Sequence, residues 1–277
     1  MKKPLSKILG PGLLFAGAAI GVSHLVQSTR AGADFGFGLL WALLIVNIFK
    51  YPFFQYGPRY AAATGETLLE GYKKLGKGVL ISYYILNFVT MFTFQATLTI
   101  VTASIATTIF GVTNDLVTWS LIILTISIII LGIGKYKLLD NLMKYIIIIL
   151  TISTIIAVSI ALFSTQKGFS FQQIVPSGTA QITFLIAFLG WMPAPLDVSI
   201  WHSIWSVEKS KTTFEQIKPK YAIFDFNVGY IGTLFLGVCF VILGALVMFQ
   251  SGESFSSKGT VFASQLLNLY TKNLGDF

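Results

Sequence analysis

The stretch Gln181–Ser206 reads QITFLIAFLGWMPAPLDVSIWHSIWS. It is apolar and long enough to cross a bilayer, which takes about 20 residues, yet Pro193, Pro195 and the carboxylate of Asp197 interrupt its middle. Each proline lacks an N–H and crowds the carbonyl four residues back, so a helix entering Met192-Pro193-Ala194-Pro195 must unwind. Hydrocarbon offers the freed backbone groups no partner. Irregular backbone at membrane depth persists only where it is buried in protein or lines a cavity, and broken spanning helices commonly hold a ligand there.

The rest of the chain agrees with a membrane setting. Mean hydropathy is +0.77; 55% of the 277 residues are hydrophobic and 11% charged, against roughly a quarter charged in soluble domains. Seven spans are expected, at about 8–30, 36–56, 79–110, 116–134, 141–163, 181–206 and 227–249. Lys2, Lys3 and Lys7 precede the first apolar run. That run outlasts a signal peptide and shows no clear cleavage site, so it reads as the first helix.

With the N-terminus in the cytoplasm, 15 of the 19 basic residues fall on the inner side: Lys2, Lys3, Lys7, Lys50, Arg59, Lys73, Lys74, Lys77, Lys135, Lys137, Lys144, Lys209, Lys211, Lys218 and Lys220. The positive-inside rule therefore predicts an N-in topology in a plasma membrane, expected to be a bacterial inner membrane, with loops 57–78, 135–140 and 207–226 cytoplasmic. The net charge of +8 is explained by topology and anionic lipid, and needs no nucleic-acid partner. The single cysteine, Cys239, excludes an internal disulfide and reads as a packing residue. No Walker loop, nucleophile elbow or metalloprotease motif occurs, so neither an ATP-driven pump nor an enzyme is expected. No cofactor is implied. Glu66 and Glu70 in ATGETLLEGY read as part of a helix start in a cytoplasmic loop. Asn87 and Gln95 are expected to bond between helices.

The first span, GPGLLFAGAAIGVSHLVQSTRAGADFG, places Ser23, His24, Gln27, Ser28, Thr29 and Arg30 in its second half. Polar groups inside a membrane are costly and face a cavity or a partner. The glycines read equally as close-packing positions. Breaks are thus expected near Gly17 to His24 and Gly190 to Asp197, lying side by side. First and sixth helices interrupted in this way suggest an inverted repeat of five plus five helices.

At these residues the chain resembles the Nramp family of divalent metal transporters. GPGLLFAGAAIG and QSTRAGADFGFGLLWALLIVNIFKYPFFQYGPRYAAATGETLLEGY are similar to that family's first two helices and the following loop. WMPAPLDVSIWHS is similar to its sixth helix. The resemblance extends over essentially all 277 residues. It implies an all-α, LeuT-type membrane bundle forming one transport domain over 1–277, with a first repeat at about 8–163 and a second beginning at about 181–249. It also implies about four further helices after Phe277, hence a C-terminally truncated chain. The function implied is secondary transport of a divalent metal by alternating access, with proton coupling.

Alignment on Ala31-Gly32-Ala33 puts Gly21 at the family's metal-binding aspartate and His24 at its asparagine. Met192 keeps the thioether position, a soft donor suited to transition metals, and Ala194 replaces a histidine. The third helix, LNFVTMFTFQATLTI, lacks the acidic residues that the family uses near its proton path. Asp197 is the acidic residue within an apolar span; it reads either as a ligand or proton carrier, or as the cap of the half-helix after Pro195. The expected binding set is His24, Met192 and Asp197 with the carbonyls of Ala18 and Leu189. Gly21, Ser23, Gln27, Pro193, Ala194, Pro195 and His202 are expected to line the broken helices. Two other classes stay open: a transporter of the same fold for an amino acid or other organic solute, suggested by the absent aspartate and by Trp191, Trp201 and Trp205, and a non-transporting membrane protein or inactive fragment.

Overall fold

A computed structural model describes residues 9–164, 170–213, 217–249, 256 and 259–274. Lys2, Lys3 and Lys7 lie outside them, as do Lys167 and the end of the tail. Among the described residues all regular structure is helical: α1 (Pro11–Ala19), a π turn π1 (Ser23–Ser28), α2 (Thr29–Phe35), α3 (Leu40–Thr64), α4 (Leu68–Leu75), α5 (Lys77–Phe110), α6 (Leu116–Ser164), α7 (Thr179–Trp191), α8 (Val198–Thr213), α9 (Pro219–Leu243), a second π turn π2 (Gly244–Met248) and α10 (Gly259–Leu274).

Four helical stretches are long and apolar enough to cross a membrane, and a fifth arises if α1 and the π1–α2 segment, bent by 49°, count as one span. The other two stretches expected to span are present as α3 and as the pair α7 and α8. α3 carries Asn47, Lys50 and Gln55 among its apolar residues, and the α7–α8 pair is broken at its prolines. Outward faces are apolar: Ile48, Phe49, Phe53 and Ile133 stand in the open, at 68%, 71%, 64% and 79% exposure. In water such a surface would aggregate; against lipid tails it is solvated.

The expected loop at 135–140 is helical instead, within the 49 residues of α6. A straight helix of that length would run about 74 Å, more than twice the hydrocarbon core. Helix geometry is interrupted near Gly134, where an added Cβ would overlap the Leu138 side chain, although residues four apart normally hold their Cβ atoms about 5–6 Å apart. The two halves, Leu116–Gly134 and Tyr136–Phe163, are separate spans.

Helix crossings use small residues, as expected where lipid supplies no hydrophobic drive between helices. A Cβ at Gly12 would overlap the Asp225 carbonyl, and one at Gly229 would overlap the Gly12 carbonyl, so α1 and α9 touch backbone to backbone. Gly32 and Gly244 bring α2 against π2 in the same manner, and Gly57 brings α3 against Ser199 of α8. Phe15, Phe54, Phe226 and Tyr230 fill the space these crossings enclose. Cys239 is buried among Val158, Phe240 and Leu243.

At one end of the bundle the Asp225 carboxylate accepts hydrogen bonds from Gly10 N (2.9 Å) and Gly12 N (2.8 Å), capping α1 from α9. Lys209 of α8 donates to Leu9 O at 2.6 Å, and Asp140 pairs with Lys144 at 2.6 Å. Thr67 caps α4 in a reciprocal box with Glu70, the helix start expected from ATGETLLEGY. Leu68 N donates to Ser203 Oγ (3.0 Å), which docks α4 on α8.

Candidate binding cavity between the broken helices

Both breaks occur where expected. α1 ends at Ala19, and the chain passes through Ile20–Val22 before π1 begins. A residue whose backbone is already turned out of helical geometry, Ile20 at φ −82°, ψ 79°, marks the stop. α7 ends at Trp191, and the chain is non-helical until Val198 because Pro193 and Pro195 cannot donate to the ladder.

The two breaks line one cavity of about 180 Å³. Helix one contributes Ala18, Gly21 and Ser23, the sixth contributes Trp191, Pro195, Asp197 and Trp201, and α5 closes the side with Asn87, Phe94 and Gln95. Phe94 and Trp191 meet edge to face at 5.5 Å between ring centres. Asn87 and Gln95 bond within α5, to Tyr83 (2.9 Å) and Thr99 (3.1 Å), rather than between helices as expected. Their polar heads thereby stand on the cavity wall. Asp197 directly precedes α8, and its Oδ1 is buried with no hydrogen-bond partner among the described residues. An unsatisfied carboxylate oxygen in a low-dielectric setting is costly unless a cation or donor joins it.

The other expected site residues are placed elsewhere. His24 is fully buried; its Nε2 lies 2.9 Å from Thr233 O, and its Nδ1 lies 2.9 Å from Ser23 Oγ and 3.0 Å from Ala19 O. Nε2 thus ties helix one to α9 while Nδ1 bonds within helix one, and His24 is not among the residues that line the cavity. Met192 is fully buried, with Ser28 Oγ donating to its sulfur at 3.4 Å. Pro193 and Ala194 are buried beside it. Gln27 Oε1 is buried without a hydrogen-bond partner among the described residues. His202 is buried against Phe15, Trp205 and Phe226, and both its ring nitrogens are unpartnered among the described residues.

The Leu189 carbonyl already has a cation. Lys50 of α3 reaches across to the stump of α7 and donates from Nζ to Leu189 O (2.9 Å), Gly190 O (2.8 Å) and Met192 O (2.8 Å). The sequence carries a signal for this residue, a lysine inside the apolar stretch 36–56, where a charge marks a partner or a pathway. Counting it with the loop charges hid it. Asp225 was missed because its partners, Gly10 and Gly12, are more than 200 residues away in sequence.

Comparison with known proteins bears on this arrangement. An uncharacterized protein of Pasteurella multocida (strain Pm70) is 39% identical over 275 residues, covering 97% of this chain, and the chain spans 63% of that relative's length. The profile of the natural resistance-associated macrophage protein-like family matches residues 12–274, from the start of α1 to the end of α10. With two interrupted helices around a shared cavity and a family profile running across nearly all of it, this chain belongs to the Nramp family.

Proposed function

We propose that the chain carries the substrate cavity of a secondary transporter that moves a cation by alternating access, its first and sixth helices gripping the substrate at their breaks. The observation that carries this reading is the cavity lined by both breaks, with Asp197 on its wall and one of that residue's oxygens unsatisfied among the described residues. Family membership makes a divalent metal ion the first cargo to test, with proton coupling. The fold fits a five-plus-five inverted repeat of which these helices form the first repeat and the start of the second. A bacterial inner membrane with the N-terminus inside is supported by the basic-residue count and by a bacterial relative.

A second reading, transport of an organic solute, is favoured by one observation: among the described residues no three of His, Cys, Asp or Glu stand together where a metal ion would sit. Uptake by the full chain in proteoliposomes tests the transport reading. Accumulation of Mn(II) or of a labelled organic cation that disappears with Asp197→Asn is the expected result. Absence of uptake for either class, with correctly folded and inserted protein, would refute it.

A further inference from the structure

Lys50 lies midway along α3, and its ammonium has three N–H groups. All three have a carbonyl within hydrogen-bond distance, on Leu189, Gly190 and Met192. Those oxygens are the ones released where α7 stops, at the negative end of a half-helix, and oxygens so placed in a broken transporter helix are suited to a travelling cation. Here the protein supplies the cation itself. A divalent ion seeking the same oxygens would meet a fixed positive charge at hydrogen-bonding distance from each, and would have to expel it. The neighbouring soft donors are engaged as well, Met192 with Ser28 and His24 with backbone carbonyls.

What remains open is the adjoining cavity. Its volume, about 180 Å³, is far beyond a dehydrated ion; a cavity of about 150 Å³ admits benzene. The wall offers the carboxylate of Asp197, the rings of Phe94, Trp191 and Trp201, and the amides of Asn87 and Gln95. Aromatic faces beside one carboxylate suit a single diffuse positive charge. Among the described residues neither lysine nor arginine lines this cavity, so the carboxylate of a zwitterion would find no side-chain counter-charge and would face Asp197.

We infer that Lys50 is the built-in cation of the broken sixth helix, occupying the carbonyls a metal would use, and that the substrate is a small organic monocation held at Asp197. This deepens the reading of the cavity as a transport site and rests on it for the word substrate. Lysine near a helix C-terminus is also a common cap, and a pure cap would leave ligand choice untouched.

The test uses the full chain in lipid nanodiscs. Choline, methylammonium and benzylammonium are titrated by quenching of tryptophan fluorescence, and Mn(II) by the electron paramagnetic resonance signal of the free ion. At least one ammonium probe is expected to bind the parent, and Asp197→Asn to weaken it by about 30-fold or more. Lys50→Met should raise Mn(II) affinity by about 10-fold or more, the carbonyls now being free, while ammonium binding persists. Lys50→Gln, which keeps donors for the carbonyls but no charge, should show the same gain if the methionine variant does not fold. Tight Mn(II) binding by the parent that both Lys50 variants weaken or leave unchanged would overturn the assignment, as would failure of all three ammonium probes. The expected binding pattern without uptake in proteoliposomes would count against transport and uphold the assignment of Lys50.

Discussion

Replacement of Asp225 by alanine removes the acceptor of two backbone N–H groups, Gly10 at 2.9 Å and Gly12 at 2.8 Å, at the start of α1. Both donors belong to a helix N-terminus, which has no internal partner for them, and Asp225 is only 3% exposed, so water does not replace the carboxylate. A hydrogen bond to a charged group is worth about 1.5–3 kcal/mol, and two give about 3–6 kcal/mol. Asparagine keeps one oxygen in place, so Asp225→Asn should lose about half as much as Asp225→Ala. For a chain of this size about 2–4 °C accompanies each kcal/mol, and the alanine variant should melt on the order of 10 °C below the parent. The single thiol, Cys239, is buried, so thermal unfolding in detergent can be followed with a dye that fluoresces on reacting with it. Melting of the alanine variant within about 2 °C of the parent would refute the cap, and equal losses for alanine and asparagine would refute the two-bond arithmetic.

Gly229→Ala should destabilise by about 1–3 kcal/mol through overlap with the Gly12 carbonyl. Gly232→Ala, one turn on and facing open space, should be neutral or gain up to about 1 kcal/mol of helix propensity; the same melt distinguishes them, and equal effects would contradict the crossing. His24→Ala should cost at least about 1–3 kcal/mol by deleting its buried hydrogen bond to the Thr233 carbonyl and leaving a cavity where the ring was, with Mn(II) titration of the purified variant unaltered; loss of metal binding without loss of stability would return His24 to the cavity. On the exposed loop, the hydrogen bond from Lys74 holds the Glu66 carboxyl below the usual carboxylate range and holds Lys74 above its own. A depressed carboxyl contributes above its unfolded value and loses that contribution as pH falls through the folded one, so protection of α4 from pepsin should decline below about pH 4.3. Lys74→Ala should abolish that part of the acid sensitivity.

The break in the sixth helix was legible because proline acts through its own covalent structure: Pro193 and Pro195 lack an N–H whatever surrounds them. The break in the first was legible more loosely, from glycine and polar residues, and the structure narrows it to Ile20 and Gly21. Asp197 was legible as a carboxylate out of place in an apolar span. What each freed group bonds to was not legible, because it depends on which helix lies opposite. The Leu189 carbonyl and the His24 imidazole are chemically competent ligands, and only packing reveals that Lys50 and Thr233 hold them. The segment 135–140 was misplaced as a loop for a related reason, since lysines at 135 and 137 imply solvent but do not forbid helix.

Both π turns sit on helices that meet, π1 on the first and π2 following α9, and α2 packs against π2 through Gly32 and Gly244. A π turn accommodates one residue more than an α turn over the same height. Tightening either to α geometry would therefore lengthen its helix by about 1.5 Å with no new unwinding, and the Ser28 hydroxyl, at 3.4 Å from both the Met192 sulfur and the Ser23 carbonyl, shares its one proton across the loosened ring. The bundle thus keeps slack in two facing members, drawn from the sequence itself, and one of them, π1, begins on the wall of the cavity at Ser23.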